Sequence, residues 1–363
     1  MALRECISPI LGFLEFTKMK RIQFIDSLKG FAIFCVLWGH VIQHFRNGDN
    51  AFANPVFEII YSFHMPLFFL ISGMFFKSSL ELSFKDFLKK KMGELLLPCF
   101  VWAILIACWR LGISFYNDVE VDGMAVIKSL VVPFKWPFWF LKQLFLSYVL
   151  TYVFYKAFKK EWLVFFTLLA FVLIIPYGGM QRFLLPIFLT GILIRNNYDN
   201  IIPARANLLL YGSGAVFMIG LIFWKGTYTI YATEFPALVN WANLSFNFSN
   251  ITISFFRFIE GISGSLFFLL VFYKFYRENG LAGFLEDIGR YSLSIYVLQF
   301  FLIEIDPFPD FQSHPFWIYN LVTSPLVSIL VLLLSMGAIS VVSRFQGVGE
   351  VFFGRSFRSI RSS

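Results

Sequence analysis

The chain has 363 residues, 58% of them hydrophobic and 14% charged, with a net charge of +8 and a mean hydropathy of +0.72. That apolar surplus is more than a soluble domain could bury, so the composition predicts an integral membrane protein. The basic residues are dispersed at the ends of apolar runs, which points to membrane topology and away from a nucleic-acid surface. Cys6, Cys35, Cys99 and Cys108 show no metal-ligand or CxxC spacing, so neither a disulfide framework nor a metal site is predicted.

Along the chain, residues 1–20 hold a short apolar stretch interrupted by Glu15 and no small-residue cleavage site. They are read as an interfacial segment, or as an over-extended start with Met19 as the first residue. A spanning helix needs roughly 20 mostly apolar residues, and about ten runs approach this. They are Phe24–Phe45, Pro55–Phe76, Leu95–Phe115, Trp136–Phe158, Trp162–Ile175, Arg182–Ile194, Ala206–Trp224, Ile251–Tyr273, Gly289–Ile305 and Trp317–Val342. The predicted class is therefore all-α, a polytopic membrane bundle of about ten transmembrane helices. Lys and Arg gather in alternate loops, which predicts that both termini are cytoplasmic. One transmembrane domain over 21–345 and a basic tail over 346–363 complete the layout. The loop between spans seven and eight carries Tyr228, Tyr231, Trp241 and triplets at Asn243, Asn247 and Asn250. A sugar-facing surface and an interfacial aromatic belt both fit it.

Ionisable groups inside spans are costly unless a cavity or a partner receives them. Lys29 and His40 are eleven residues apart in KGFAIFCVLWGH. On a helix they share one face, ~16 Å apart along the axis. Asp26 is spaced to pair with Lys29, and His44 extends the stripe by one turn. Lys29 fits a snorkelling anchor as well as a binding group. His64 in YSFHMPLFFLISGMFF adds a second imidazole in the outer half of span two. Lys142, Arg182, Arg257 and Glu260 fall in or beside later spans, and Arg257 and Glu260 are spaced to pair. Many cations, two histidines and few acids predict a cavity that takes an anionic molecule.

Six segments resemble, in order, the membrane acyltransferase family known as acyltransferase 3. They are FIDSLKGFAIFCVLWGH, FHMPLFFLISG, KKKMGELLLP, PFWFLKQLF, LPIFLTGIL and IGRYSLSIYVLQ. The resemblance covers Arg21 to about Gln299. It implies about ten spans and transfer of an acyl group, usually acetyl from acetyl-CoA, to hydroxyls of cell-surface carbohydrates in a bacterial inner membrane. The family's basic residue and histidine, ten residues intervening, fall on Lys29 and His40, and its second histidine falls on His64. Two departures stand out. Glu94 follows Lys91 where a second cation is common, and Gln299 replaces a frequent histidine with a group that cannot titrate.

Under this resemblance His40 is expected to be the general base, with His64 as its partner or as an oxyanion donor, the two roles being exchangeable. Asp26 completes the catalytic set, and Lys29, Lys89, Lys90 and Lys91 are expected to bind CoA phosphates. Lys142, Arg182, Arg257, Glu260 and Gln299 are expected on the substrate side. The expected donor is acetyl-CoA or another acyl-CoA, the acceptor is a carbohydrate, and no metal is involved. A transporter or flippase for a glycan or an anionic solute is the competing class, since it would use the same charged cavity for passage.

Overall fold

A computed structural model describes residues 23–45, 51–118, 122–135, 137–158, 160–175, 179–231, 239–240, 245–277, 280–305, 314–345 and 347–354. The predicted extension 1–20, Trp136, Trp241, Asn243 and the tail beyond 354 lie outside the described residues. The described residues begin with α1 (Gln23–His44), α2 (Pro55–Met74) and α3 (Phe84–Lys91), which runs through a π-helical turn at Met92–Leu96 into α4 (Leu97–Tyr116). Then come α5 (Gly123–Lys135), α6 (Trp139–Ala157), α7 (Glu161–Ile174), α8 (Gln181–Asn196), α9 (Tyr198–Phe223) and the short α10 (Thr227–Tyr231). The remainder is α11 (Phe248–Phe275), α12 (Gly280–Arg290), α13 (Ser292–Glu304), α14 (Phe316–Ile318), α15 (Ser324–Val342) and α16 (Val348–Phe353), with a second π-turn at Tyr319–Thr323. Among the described residues the one β-ladder is the antiparallel pair β1 (Val239–Asn240) and β2 (Ser245–Phe246).

Among the described residues, six stretches are long and apolar enough to cross a bilayer. They are α1, α2, Phe84–Tyr116, Ile202–Phe223, α11 and Phe316–Val342. They fall on predicted spans one, two, three, seven, eight and ten. Predicted spans four, five, six and nine also form helices, namely α6, α7, α8 and α13. The last three have 14, 16 and 13 residues, shorter than a straight crossing of the hydrocarbon core requires. α6 has 19 residues but carries Lys142, Gln143 and several hydroxyl side chains. The ninth span also starts later than predicted. Gly289 belongs to the separate helix α12, which ends at Arg290, and the chain breaks at Tyr291 before α13 begins.

α1 and α2 form the centre. Of their apolar stretches 72% and 67% are buried in protein, against 28–44% for the other four, whose Phe100, Leu208, Ile222 and Leu326 face outward. α2 starts where it does because Asn54 caps it, its side-chain oxygen accepting from the backbone N–H of Val56 at 3.0 Å and Phe57 at 3.3 Å, with Pro55 at the first helical position. Small residues then let backbones approach closely. Gly30 faces the Leu285 carbonyl and Gly289 faces the Asp26 carbonyl where α1 meets α12, and Ser27 donates to the Ala282 carbonyl at 3.2 Å. In the same way Gly73 faces the Phe188 carbonyl and Gly191 faces the Leu70 carbonyl between α2 and α8. At the other end of α1, Tyr319 donates to the Val41 carbonyl at 2.8 Å and Trp38 donates to Ser324 Oγ at 2.8 Å. Asn54 donates to Asn320 Oδ1 at 2.7 Å.

These crossings leave no space for a methyl group. Gly73→Ala or Gly30→Ala is expected to destabilise the bundle by about 1–3 kcal/mol, read as a lower thermal midpoint in detergent. Gly112→Ala, whose added carbon meets nothing within 4 Å, serves as the neutral control. An unchanged midpoint in both core variants would contradict the close approach.

Candidate functional site

A cavity of about 400 Å³ opens between the last turns of α1 and the first turns of α2. Its walls come from α1 (His40, Gln43, His44), α2 (Tyr61, His64), α4 (Ile106, Arg110), α8 (Phe183), α11 (Arg257) and α13 (Phe300), with Trp139 and Trp224 at the same end. Gln43 and His44 are exposed, so the mouth lies where α1 ends. No described lining residue is an Asp or Glu. Pro66 lies in the wall, inside the continuous helix α2. It removes the N–H that the Ser62 carbonyl would receive in a regular helix.

The two histidines occupy different environments. His64 is buried, and its Nδ1 lies 2.6 Å from the Ile60 carbonyl. A carbonyl only accepts, so Nδ1 carries the proton, and whenever the ring is neutral its Nε2 is left as an acceptor. His40 is half-buried, and its Nδ1 makes no hydrogen bond. Its ring meets Phe300 edge-on at 5.0 Å. Tyr61 bridges the pair, with ring centroids 6.4 Å from His40 and 4.7 Å from His64. Tyr61 is itself stacked on Phe57 at 3.7 Å.

The predicted ion pair between Arg257 and Glu260 is not formed. Arg257 is 7% exposed and stacks on the Phe183 ring at 3.8 Å, and its Nε and Nη1 make no hydrogen bond. Glu260 is 1% exposed, and neither of its oxygens has a hydrogen-bond partner. Three residues turn a helix 60° short of a full circle. Arg257 therefore reaches the cavity and Phe183, while Glu260 lies against Gly220 of α9. Sequence spacing alone could not reveal that the two side chains are drawn to different neighbours.

The remaining predicted residues lie away from the cavity walls. Lys29 pairs with Asp26 at 2.5 Å near the start of α1, as the spacing predicts. Lys91 is buried between Glu94, at 2.8 Å, and the Tyr148 ring, at 4.1 Å, while Lys89 and Lys90 are exposed. These cations sit at the end of the bundle opposite the cavity mouth. Arg182 is buried and donates to the Ile175 carbonyl at 3.1 Å. Gln299 is fully buried with both polar atoms unbonded, and Lys142 is half-buried on α6. The structure adds Arg110, Tyr61, Gln43 and Trp224 to the cavity. Arg110 carried a signal in the sequence, as a charge inside the apolar run CWRLGIS. The others are common at helix ends and carried none.

Comparison with known proteins matches most of the chain to one family. Residues 22–344 match the family model described as acyltransferase domain. Nodulation protein NolL of Sinorhizobium fredii is 29% identical over 215 residues, covering 56% of this chain and 58% of that protein. Nodulation protein NolL of Mesorhizobium japonicum is 31% identical over 128 residues, 34% of each chain. The chain thus aligns with less than two thirds of the length of these curated relatives. No solved structure matches it.

The mouth and the lysine cluster are expected to open on opposite sides of the membrane. In a cysteine-free background, Gln43→Cys should react with a charged, membrane-impermeant thiol reagent from one face of sealed vesicles. Lys89→Cys should react only from the other. Labelling of both from the same face would contradict this placement.

Proposed function

The chain belongs to the acyltransferase domain family, and from that premise we propose that it moves acetyl from acetyl-CoA to a hydroxyl of a carbohydrate acceptor. Membership makes it an acyl-transferring enzyme, and its apolar helices make it an integral membrane protein. The finer reading is supported chiefly by one observation. Three imidazoles, of His40, His44 and His64, and two guanidiniums, of Arg110 and Arg257, line a single cavity that has no carboxylate among its described walls.

In this reading the bundle has about ten crossings, both termini are cytoplasmic, and residues 21–345 form one domain in a bacterial inner membrane. Similarity to rhizobial proteins supports a bacterial setting. The cavity then opens to the outer side, where a carbohydrate would arrive, and its aromatic rings offer faces for a sugar. CoA phosphates would meet Lys29 and the cluster Lys89, Lys90 and Lys91 from within. Two of these cations are already matched to carboxylates, by Asp26 and Glu94, so Lys89 and Lys90 are the stronger phosphate binders of the set.

His40 acts as the general base in this account, removing the acceptor hydroxyl proton as its oxygen attacks the thioester carbon. His64 supplies a second proton acceptor, since its bond to the Ile60 carbonyl leaves Nε2 bare. Of the roles weighed for His64, oxyanion donor suits a neutral ring with that tautomer least. Asp26 holds Lys29 and acts through it. Gln299, Lys142 and Arg182 support the acceptor side without lining the cavity.

Loss of the base is expected to lower transfer by ~100 to 10,000-fold. The measurement is radiolabel passing from acetyl-CoA to glycan in proteoliposomes containing His40→Ala. Unimpaired transfer by a correctly folded variant would remove His40 from this role. A transporter would instead alter where the glycan resides without adding the mass of an acetyl group to it.

A further inference from the structure

One requirement of the reaction is met by neither histidine. As the acceptor oxygen bonds to the thioester carbon, the carbonyl electron pair moves onto oxygen, and that oxyanion must be held until the C–S bond breaks. The leaving thiolate then takes the proton that the base accepted. His64 has committed its N–H to the Ile60 carbonyl at 2.6 Å. His40, acting as base, presents a lone pair to the hydroxyl. The donor must come from another wall of the cavity.

Building on the acyl-transfer reading above, we propose that Arg257 is a catalytic residue that receives the oxyanion of the tetrahedral intermediate. Its side chain lines the cavity together with both histidines, and it is more than nine-tenths buried. Two of its nitrogens lack hydrogen-bond partners. Stacking on Phe183 at 3.8 Å fixes the plane of the guanidinium, leaving its N–H edge as the part able to donate. Glu260, the carboxylate spaced to neutralise it, lies against Gly220 instead. The cavity walls offer no other acid among the described residues.

A buried cation without a counter-ion is costly. The cost is offset if negative charge forms in the cavity only during reaction, because the binding then strengthens in the transition state. Trp224 Nε1 also lines this space without a partner, but a neutral N–H holds an oxyanion less strongly than a charged donor. Arg110 also lines the cavity but is only half-buried, so Arg257, the buried charged group, is the principal donor and Trp224 a secondary one.

The test uses the full chain in nanodiscs, [¹⁴C]acetyl-CoA as donor and the glycolipid fraction of producing cells as acceptor. Arg257→Gln is expected to lower kcat by about 100 to 1,000-fold, with the KM for acetyl-CoA little changed. Arg257→Lys is expected to recover part of the loss, and it remains informative if the glutamine variant folds poorly. A trifluoromethyl ketone analogue of acetyl-CoA, which adds the acceptor hydroxyl to give a stable tetrahedral adduct, should lose affinity in both variants by more than acetyl-CoA does. Unchanged kcat, or a raised KM with unchanged kcat, would overturn the proposal and make Arg257 a ground-state anion site or a structural group. A wild-type protein that transfers no label would instead overturn the acyl-transfer reading on which the proposal rests.

Discussion

Charge within an apolar bundle has to be answered, and this protein answers it in two ways. Near the ends of its helices, cations meet carboxylates one turn away, Lys29 with Asp26 at 2.5 Å and Lys91 with Glu94 at 2.8 Å. In the cavity at the other end of α1, Arg257, His40 and His64 share walls that hold no carboxylate among the described residues. Removing such groups from water without partners costs several kcal/mol each. The paired lysines are balanced before any ligand arrives, whereas Arg257 marks where a reactant would supply the missing charge.

The scaffold makes that contrast possible. Glycine contacts draw α1 onto α12 and α2 onto α8, so the two helices that carry the histidines are fixed by backbone contact, which tolerates little adjustment. Toward the cavity the same helices are held from the side. Tyr319, Trp38 and Asn54 tie the ends of α1 and α2 to the segment 319–324 by hydrogen bonds of 2.7–2.8 Å. Aromatic rings fill the space between, with Tyr61 stacked on Phe57 and set edge-on to both imidazoles. Rings of this kind restrict rotation of the histidines while leaving their nitrogens unblocked.

Much of this was legible in the residues. Apolar runs announced the helices, and the intramembrane histidines announced a cavity, because both signals come from the cost of exposing the wrong group to the wrong solvent. The Asp26–Lys29 pair followed from helical spacing. What spacing could not supply was competition from other helices. Arg257 was drawn to Phe183 and the cavity, Glu260 to the groove beside Gly220, and Gly289 out of its predicted span into α12. The tautomer of His64 was equally hidden, since it depends on the Ile60 carbonyl lying in reach of one particular nitrogen. Arg110 stands in the sequence as a charge in an apolar run, but spacing alone does not show that it faces the cavity.

The claim on which everything else depends is that the thioester is brought to the cavity lined by His40 and Arg257. A cryo-electron microscopy structure with a non-cleavable thioether analogue of acetyl-CoA would test it most directly. The account predicts density for the pantetheine arm running from the Lys29 end of α1 into that cavity, with the acetyl carbonyl between the imidazole and the guanidinium. An analogue bound wholly among the lysines at the opposite end, with the cavity closed off from it by packed side chains, would contradict it.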